Sequence, residues 1–207
     1  IMGFNVGKLG FLAEFSVQNL EKSINNLLEG NYRLIDRSVL ETQIDGNTYF
    51  ALNDFVFEKK DSPRMITIQA YANDHYVGEY RADGLIISTP TGSTAYSLSC
   101  GGPIISPSTK AICLTPISPH SLTLRPLVVD DSSDLRFVVF SPTGKVNFVA
   151  DGQLQTILSD GDTVNIYLSK NRVKLIKPME SAFYDLIRTK LHWAVNPVQE
   201  INKNIEN

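Results

Sequence analysis

Between Val39 and Lys177 the chain breaks repeatedly into short runs rich in β-branched and aromatic residues, punctuated by turn dipeptides, and this constrains its fold more than any other feature. Asp45-Gly46 separates Val39 to Ile44 from Thr48 to Phe57, and the tight turn between two such runs needs positive φ, which Asp-Gly supplies. A second hairpin pairs Met65 to Tyr71 with Tyr76 to Arg81 around Ala72-Asn73-Asp74. Further runs follow at Leu85 to Ile87, Ala111 to Thr115, Leu122 to Val129, Asp134 to Phe140, Val146 to Ala150, Thr163 to Leu168 and Val173 to Lys177. Pro142-Thr143-Gly144, Asp160-Gly161 and Asn171-Arg172 supply turns between them. So many short strands argue for packed sheets, a sandwich, as the body of the molecule.

Helical spacing brackets this β-rich stretch. Phe15 to Leu28 places Val17, Leu20, Ile24, Leu27 and Leu28 three and four apart, with Ser16 to cap and Gly30 to terminate. Tyr32 to Leu40 alternates like a strand. Ser181 to Leu191 is again helical, with Phe183, Leu186, Ile187 and Leu191 on one side and Trp193 read as packing.

One segment departs from plain strand-and-turn chemistry. In Asp83-Gly84-Leu85-Ile86-Ile87-Ser88-Thr89-Pro90-Thr91-Gly92-Ser93-Thr94-Ala95-Tyr96 a buried strand empties into hydroxyls broken by Pro90 and Gly92, and Ser93 to Ser99 can start a helix. The N-H groups of a helix start attract phosphate oxygens, with the hydroxyls of Ser88, Thr89, Thr91, Ser93 and Thr94 adding donors. The plainer reading is that Ser93 caps a helix and the threonines fill a turn.

The order of residues gives this segment more meaning. It resembles the central motif of the NAD kinase family, where Asp-Gly precedes Thr-Pro-Thr-Gly-Ser-Thr-Ala-Tyr and Gly-Gly-Pro follows, here Asp83-Gly84, Thr89 to Tyr96 and Gly101-Gly102-Pro103. Further matches lie in the family's order: Gly3 to Leu12, Asn53-Asp54, Pro119-His120-Ser121-Leu122 with Arg125-Pro126, and Asp151-Gly152. Asp54 stands where the family more often carries Glu, which shortens the side chain's reach by one methylene.

The resemblance implies an α+β chain: a mainly antiparallel β-sandwich of the NAD kinase C-terminal type with remnants of an N-terminal α/β domain. The expected domains are residues 1–31, the end of that first domain; 32–178, the NAD-binding sandwich; and 179–207, a C-terminal helix and tail returning to the first domain, with Lys190-Leu191-His192-Trp193 as the return. It also implies that the family's Gly-Gly-Asp-Gly motif, which supplies the nucleotide-triphosphate side and the main base, lies upstream of Ile1, and that the chain is a truncated form.

The implied activity is phosphoryl transfer from ATP or polyphosphate to the adenosine 2′-hydroxyl of NAD, with Mg²⁺ or another divalent cation. A homodimer or homotetramer is implied, its pocket completed by a neighbouring chain. Asn53, Asp54, Asp83, Thr94, Ala95, Tyr96, Ser99, Ser118 and His120 are implied to bind NAD, and Asp151 to stand near the reacting ribose as a catalytic candidate. Read without the family, Asn53-Asp54 is a bend, Tyr96 half-buried packing, His120 part of an ordered turn and Asp151-Gly152 one more turn. The remaining alternatives are a lipid kinase of the same superfamily and a dinucleotide-binding module without catalysis.

Composition narrows the rest. A formal charge of −3 over 207 residues gives no basic field for nucleic acid. Cys100 and Cys113 have no metal or redox spacing and read as free thiols in a reducing compartment. No apolar run reaches the roughly 20 residues that span a bilayer, and no secretory pattern opens the chain, so no membrane partner and a cytoplasmic location are expected. The chain carries neither a Walker phosphate loop nor the protein-kinase motifs. Glu200 to Asn207 is polar and expected to fray.

Overall fold

The structure is a computed structural model and describes residues 1–6 and 10–194. Gly7-Lys8-Leu9 of the first motif and the polar tail lie outside the described residues. In chain order the elements are β1 (Phe4–Asn5), β2 (Phe15–Ser16), α1 (Leu20–Leu28), β3 (Arg33–Arg37), β4 (Leu40–Ile44), β5 (Asn47–Ala51), β6 (Asp54–Lys59), β7 (Ile66–Ala72) and β8 (His75–Ala82). Then come β9 (Gly84–Ser88), α2 (Tyr96–Ser99), β10 (Ala111–Ile117), β11 (Leu127–Asp130), β12 (Leu135–Phe140), β13 (Lys145–Ala150), β14 (Leu154–Ser159), β15 (Thr163–Leu168), β16 (Val173–Lys177) and α3 (Phe183–Leu191). The chain divides into two compact units, Arg37–Val173 and the two flanking segments together.

The central unit is a sandwich of two six-stranded antiparallel sheets, ordered β11-β10-β9-β6-β13-β14 and β5-β4-β15-β12-β7-β8. Alternation along each strand decides which side chains enter. Phe55 and Phe57 point in from β6, Leu85 and Ile87 from β9, Phe148 from β13 and Phe137 from β12, all fully buried in one core. Phe148 is its hub, with ring centroids 5.1 Å from both Phe55 and Phe57 and 6.3 Å from Tyr49. The ring of Phe57 meets Phe137 of the facing sheet at 5.3 Å.

Both expected hairpins form. Asp45 and Gly46 adopt φ of 50° and 77°, Asn73 and Asp74 of 49° and 64°, the left-handed pairs that match strand twist. The expected strand from Thr48 to Phe57 is instead two strands in different sheets. β5 belongs to one sheet and β6 to the other, and Leu52-Asn53 is the bend that carries the chain across the core. An unbroken run of alternation hid this, because a strand that changes sheets through a bend keeps its inward and outward positions in step. β14 was not anticipated, although two Asp-Gly pairs bracket it. The expected strand from Leu122 shortens to β11, because Arg125 donates to the carbonyls of Leu122 and Leu124 (2.6 and 2.8 Å) and holds that stretch as a turn before Pro126.

In the flanking unit β1 pairs with β2 in parallel, and β3 with β16. The helix expected from Phe15 starts later. Ser16 accepts from the Gln18 N-H at 3.3 Å and caps a 3₁₀ turn over Val17–Asn19, after which α1 runs to Leu28 and Gly30 (φ 79°) ends the turn that follows. Buried Lys177 donates to the Leu12 carbonyl at 2.7 Å and pairs with buried Glu14. Trp193, read from sequence as packing, is exposed. No helix among the described residues is long and apolar enough to cross a membrane.

Candidate functional site

Three motifs that are distant in sequence converge on the Leu52-Asn53 bend. A chain leaving one sheet for another exposes backbone groups that neither ladder can pair, and each needs a partner if buried. The Asp151 carboxylate supplies it on the donor side, accepting from the N-H of Leu52 (2.8 Å), Asn53 (2.7 Å) and Asp54 (3.0 Å). Thr89 supplies it on the acceptor side, its hydroxyl donating to Leu52 O at 2.6 Å and its N-H to Asn53 O at 2.8 Å. The Asp151 N-H in turn donates to Asp54 O at 3.0 Å, and Asp151 and Gly152 both have positive φ (49° and 66°) in the loop from β13 to β14.

The motif glycines make this approach possible. A Cβ at Gly92 would lie 2.1 Å from Asn53 O and 2.5 Å from Asn53 C; at Gly84, 2.3 Å from Phe57 O; at Gly102, 2.2 Å from Ser97 Oγ. None of these three needs left-handed backbone, so they are glycines for close contact. Gly101 differs, with φ 83° and open space around it.

The turn after β9 is not the helix start expected from sequence. Gly92–Thr94 form one 3₁₀ turn, Ala95 leaves helical geometry (φ −104°, ψ −127°), and α2 is only four residues long. Thr94, Tyr96 and Ser99 therefore do not lie on one continuous helix. Ser93 does not cap: its hydroxyl donates to Pro90 O at 2.7 Å and accepts from the Ile105 N-H at 3.0 Å, tying the turn to the following loop. Ser88, Thr89 and Ser93 are buried, and the latter two hydroxyls are taken by backbone, so these groups do not form a phosphate cradle. Beneath α2, Ser97 Oγ and Thr115 Oγ1 share a buried hydrogen bond of 2.8 Å that seats this short helix on β10.

On the outer face of the β6 sheet these pieces enclose a cavity of about 440 Å³. Asn53, Asp54, Ala95, Tyr96 and Asp151 line it, with Val56, Glu58, Val149, Gly152 and Gln155. The other candidates stand apart from it. Thr94 donates to Thr91 O at 3.2 Å, and Ser99 is exposed at the end of α2. Asp83, Ser118 and His120 gather at the far end of β9: the Asp83 N-H donates to Ile117 O at 3.0 Å and the His120 N-H to Arg81 O at 2.9 Å. Lys59 closes that end through a half-exposed ion pair with Asp83 at 2.7 Å. The two groups are separated by the length of β6 from Asp54 to Glu58, roughly 13 Å of strand. Val56, Glu58 and Gln155 were not anticipated; outward alternation from Asp54 would have found the first two.

Electrostatics single out Asp54. It is 4% exposed, and burial first, then the neighbouring Asp151 charge, push its carboxyl up to about 7. Burial also raises the Tyr96 phenol and the Cys100 thiol, leaving both neutral at pH 7. Cys100 and Cys113 are free. Among the described residues no three His, Cys, Asp or Glu side chains come close enough to hold a metal ion. The carboxyl pair does not fit that task, since the Asp151 oxygens already serve three N-H groups.

The Asp54 shift makes a stability prediction. From its ordinary value of 3.8 to about 7, the folded chain holds a proton that the unfolded chain has lost. This contribution is fully present below pH 4 and disappears as pH rises through 7. Relative to Asp54→Asn, the parent chain is expected to lose up to about 4 kcal/mol of unfolding free energy between pH 4 and 8. Urea melts of both proteins across that range measure it; parallel pH profiles would show that Asp54 titrates normally.

The two-sheet antiparallel sandwich is the architecture of one known class of domain. Residues 52–178 match the family described as the ATP-NAD kinase C-terminal domain, and this chain belongs to the NAD kinase family. It is 44% identical over 194 residues to an NAD kinase of Solibacter usitatus, covering 91% of this chain and 68% of that protein. A Teredinibacter turnerae NAD kinase is also 44% identical, over 94% of this chain and 68% of its own length. Among solved structures, yeast NADH kinase complexed with NADH superposes with a TM-score of 0.85 at 30% identity, over 93% of this chain and 58% of that one. An Archaeoglobus fulgidus NAD kinase in complex with ATP gives 0.81 at 26% identity, over 92% and 73%. The chain thus spans between about three fifths and three quarters of these relatives.

Proposed function

We propose that this chain carries the acceptor pocket of an NAD kinase, which transfers a phosphoryl group from ATP or polyphosphate to the adenosine 2′-hydroxyl of NAD. The observation that carries this reading is the convergence of Asn53, Asp54, Ala95, Tyr96 and Asp151 on one cavity. The Asn53 amide can donate and accept while the Asp54 carboxylate accepts, a pair suited to ribose hydroxyls, and the half-exposed Tyr96 ring offers a face for a base. Phosphoryl transfer asks for position and charge stabilisation more than for covalent help, so a rigid acceptor pocket is a large share of the machinery. Asp83, Ser118 and His120 would meet the dinucleotide's other end, along β6.

The complexes of the yeast relative with NADH and of the Archaeoglobus fulgidus relative with ATP support NADH and ATP as ligand classes. In this reading a divalent cation arrives on the donor's phosphates, since Mg²⁺ is commonly bound through substrate phosphates. Asp151, whose oxygens are engaged by backbone, orders the pocket, and a base from elsewhere in the enzyme acts on the hydroxyl. A soluble cytoplasmic homo-oligomer fits the same reading.

Calorimetric titration with NAD, beside an assay of NADP formation from NAD, ATP and Mg²⁺, tests it. NAD is expected to bind the parent chain, and Tyr96→Ala to weaken it at least tenfold, about 1.4 kcal/mol. Binding with turnover supports the full activity; binding without turnover supports a module that holds the acceptor alone. Failure of NAD to bind, with phosphorylation of a lipid instead, would sink the assignment in favour of the lipid-kinase alternative.

A further inference from the structure

Ser88 is completely buried, and its hydroxyl has no hydrogen-bond partner among the described residues. Native structures leave few such groups, and each calls for an explanation. In the β6–β9 ladder Ser88 stands directly opposite Asp54. Phe55 and Ile87, one residue along each strand, point into the core, so Asp54 and Ser88 share the outer face. Directly opposed side chains on one face have Cβ atoms about 4.5–5.5 Å apart.

The polar groups beside Ser88 on that face are already engaged, while the other unpaired one there, Asn147 Oδ1, stands at the far end of the ladder opposite Glu58. Ser97 Oγ and Thr115 Oγ1 hold each other at 2.8 Å, and Cys113 Sγ, opposite Ser88 on β10, contacts Thr115 Oγ1 at 3.4 Å. Neither carboxyl oxygen of Asp54 accepts a hydrogen bond from any described residue, although Asp54 lines the cavity. A buried donor without an acceptor thus stands beside a carboxyl that opens on the cavity and accepts from no described side chain.

We propose that Ser88 is a positioning residue for Asp54: its hydroxyl donates to the Asp54 carboxylate once that group ionises, and so holds it as an acceptor for a ribose hydroxyl of the dinucleotide. This rests on the acceptor-pocket reading above. The groups facing Asp54 otherwise disfavour its charge. Asp151 from the end of β13 and Glu58 along β6 are acidic, while Tyr96 of α2 and Cys100 just after it stay neutral. A hydroxyl that rotates toward the carboxylate favours the ionised form, and it does so without adding a charge. A protonated Asp54 offers Ser88 only a neutral carbonyl acceptor, so the Ser88 bond gains strength as Asp54 ionises. When the ribose seats, carboxylate, Ser88 and sugar form one chain of hydrogen bonds.

Ser88→Ala and Ser88→Thr are compared with the parent chain by carboxyl NMR titration of Asp54 and by NAD affinity at pH 6.5 and 9. Ser88→Ala is expected to raise the Asp54 titration by about one unit and to weaken NAD binding about tenfold at pH 6.5. The loss should shrink to under about twofold at pH 9, where Asp54 is ionised either way, and Ser88→Thr, which keeps the hydroxyl, should restore the parent behaviour. A merely structural serine would weaken binding equally at both pH values and leave the Asp54 titration in place. An unchanged titration in a more stable Ser88→Ala protein would overturn the proposal, because the hydroxyl would then be only an unpaired group whose removal helps. Because the NMR titration needs no ligand, a shifted Asp54 in a chain that never binds NAD would uphold the Ser88–Asp54 coupling while removing the dinucleotide reading.

Discussion

Substituting Gly92 with alanine is expected to abolish NAD binding and to destabilise the sandwich by about 3 kcal/mol or more. The added Cβ would sit 2.1, 2.5 and 2.8 Å from the O, C and Cα of Asn53, all backbone atoms that no rotamer change can move. Overpacking a core commonly costs about 1–3 kcal/mol when side chains can adjust, and here they cannot. Relief requires that either the turn after β9 or the sheet-crossing bend move away, and each is pinned. Thr89 ties the turn to Leu52 and Asn53, and Asp151 ties the bend to β13. The useful control is Gly101→Ala, a glycine with φ 83° and nothing near it, which should cost only about 1 kcal/mol and leave the cavity intact. Urea denaturation and NAD titration of both variants measure the difference. If Gly92→Ala bound NAD like the parent, the bend would be mobile and the clamp would not be what shapes the pocket.

Removal of the Asp151 carboxylate should be nearly as damaging. Asp151→Ala strands the N-H groups of Leu52, Asn53 and Asp54. A buried donor left unpaired costs about 1–3 kcal/mol, and hydrogen bonds to a charged acceptor are the stronger kind. Allowing for relaxation and partial hydration, a loss of about 3–5 kcal/mol is expected. Asp151→Asn keeps one acceptor oxygen, the one that serves two of the three N-H groups in the best case, and should lose roughly half as much. The pair of variants separates two roles. If stability falls in this graded way and NAD affinity falls with it, Asp151 acts by shaping the bend. If both variants melt like the parent while NADP formation disappears, Asp151 instead acts on the reacting ribose and the three hydrogen bonds are incidental.

The hairpins at Asp45-Gly46 and Asn73-Asp74 were legible because their turn chemistry is local: the dipeptides that tolerate left-handed backbone stand where the φ values require them. The family's short motifs were legible for the same reason, since their order along the chain survives without coordinates. Why those motifs exist was not. Gly84, Gly92 and Gly102 look like flexible turn residues in a sequence, yet each is a place where another backbone or a hydroxyl comes within reach of a missing Cβ. The helix anticipated over Ser93–Ser99 failed because Ser93 is claimed by Pro90 and Ile105, the latter twelve residues away, and local capping preference loses to that bond.

Most of the strands, the hairpins and, through motif order, five of the residues that line the cavity were therefore legible in local pattern, whereas β14 and the lining residues Val56, Glu58 and Gln155 were not. Tertiary structure alone decided that Thr48 to Phe57 changes sheets at Leu52-Asn53, and that Asp151 and Thr89 satisfy the backbone there from 98 and 36 residues away. It likewise decided that Ser88 faces Asp54 across a ladder. The division has one cause. Alternation and φ preference act within a few residues of chain, whereas a buried N-H, a buried carboxyl and a missing Cβ acquire meaning only from the atoms that distant segments bring beside them.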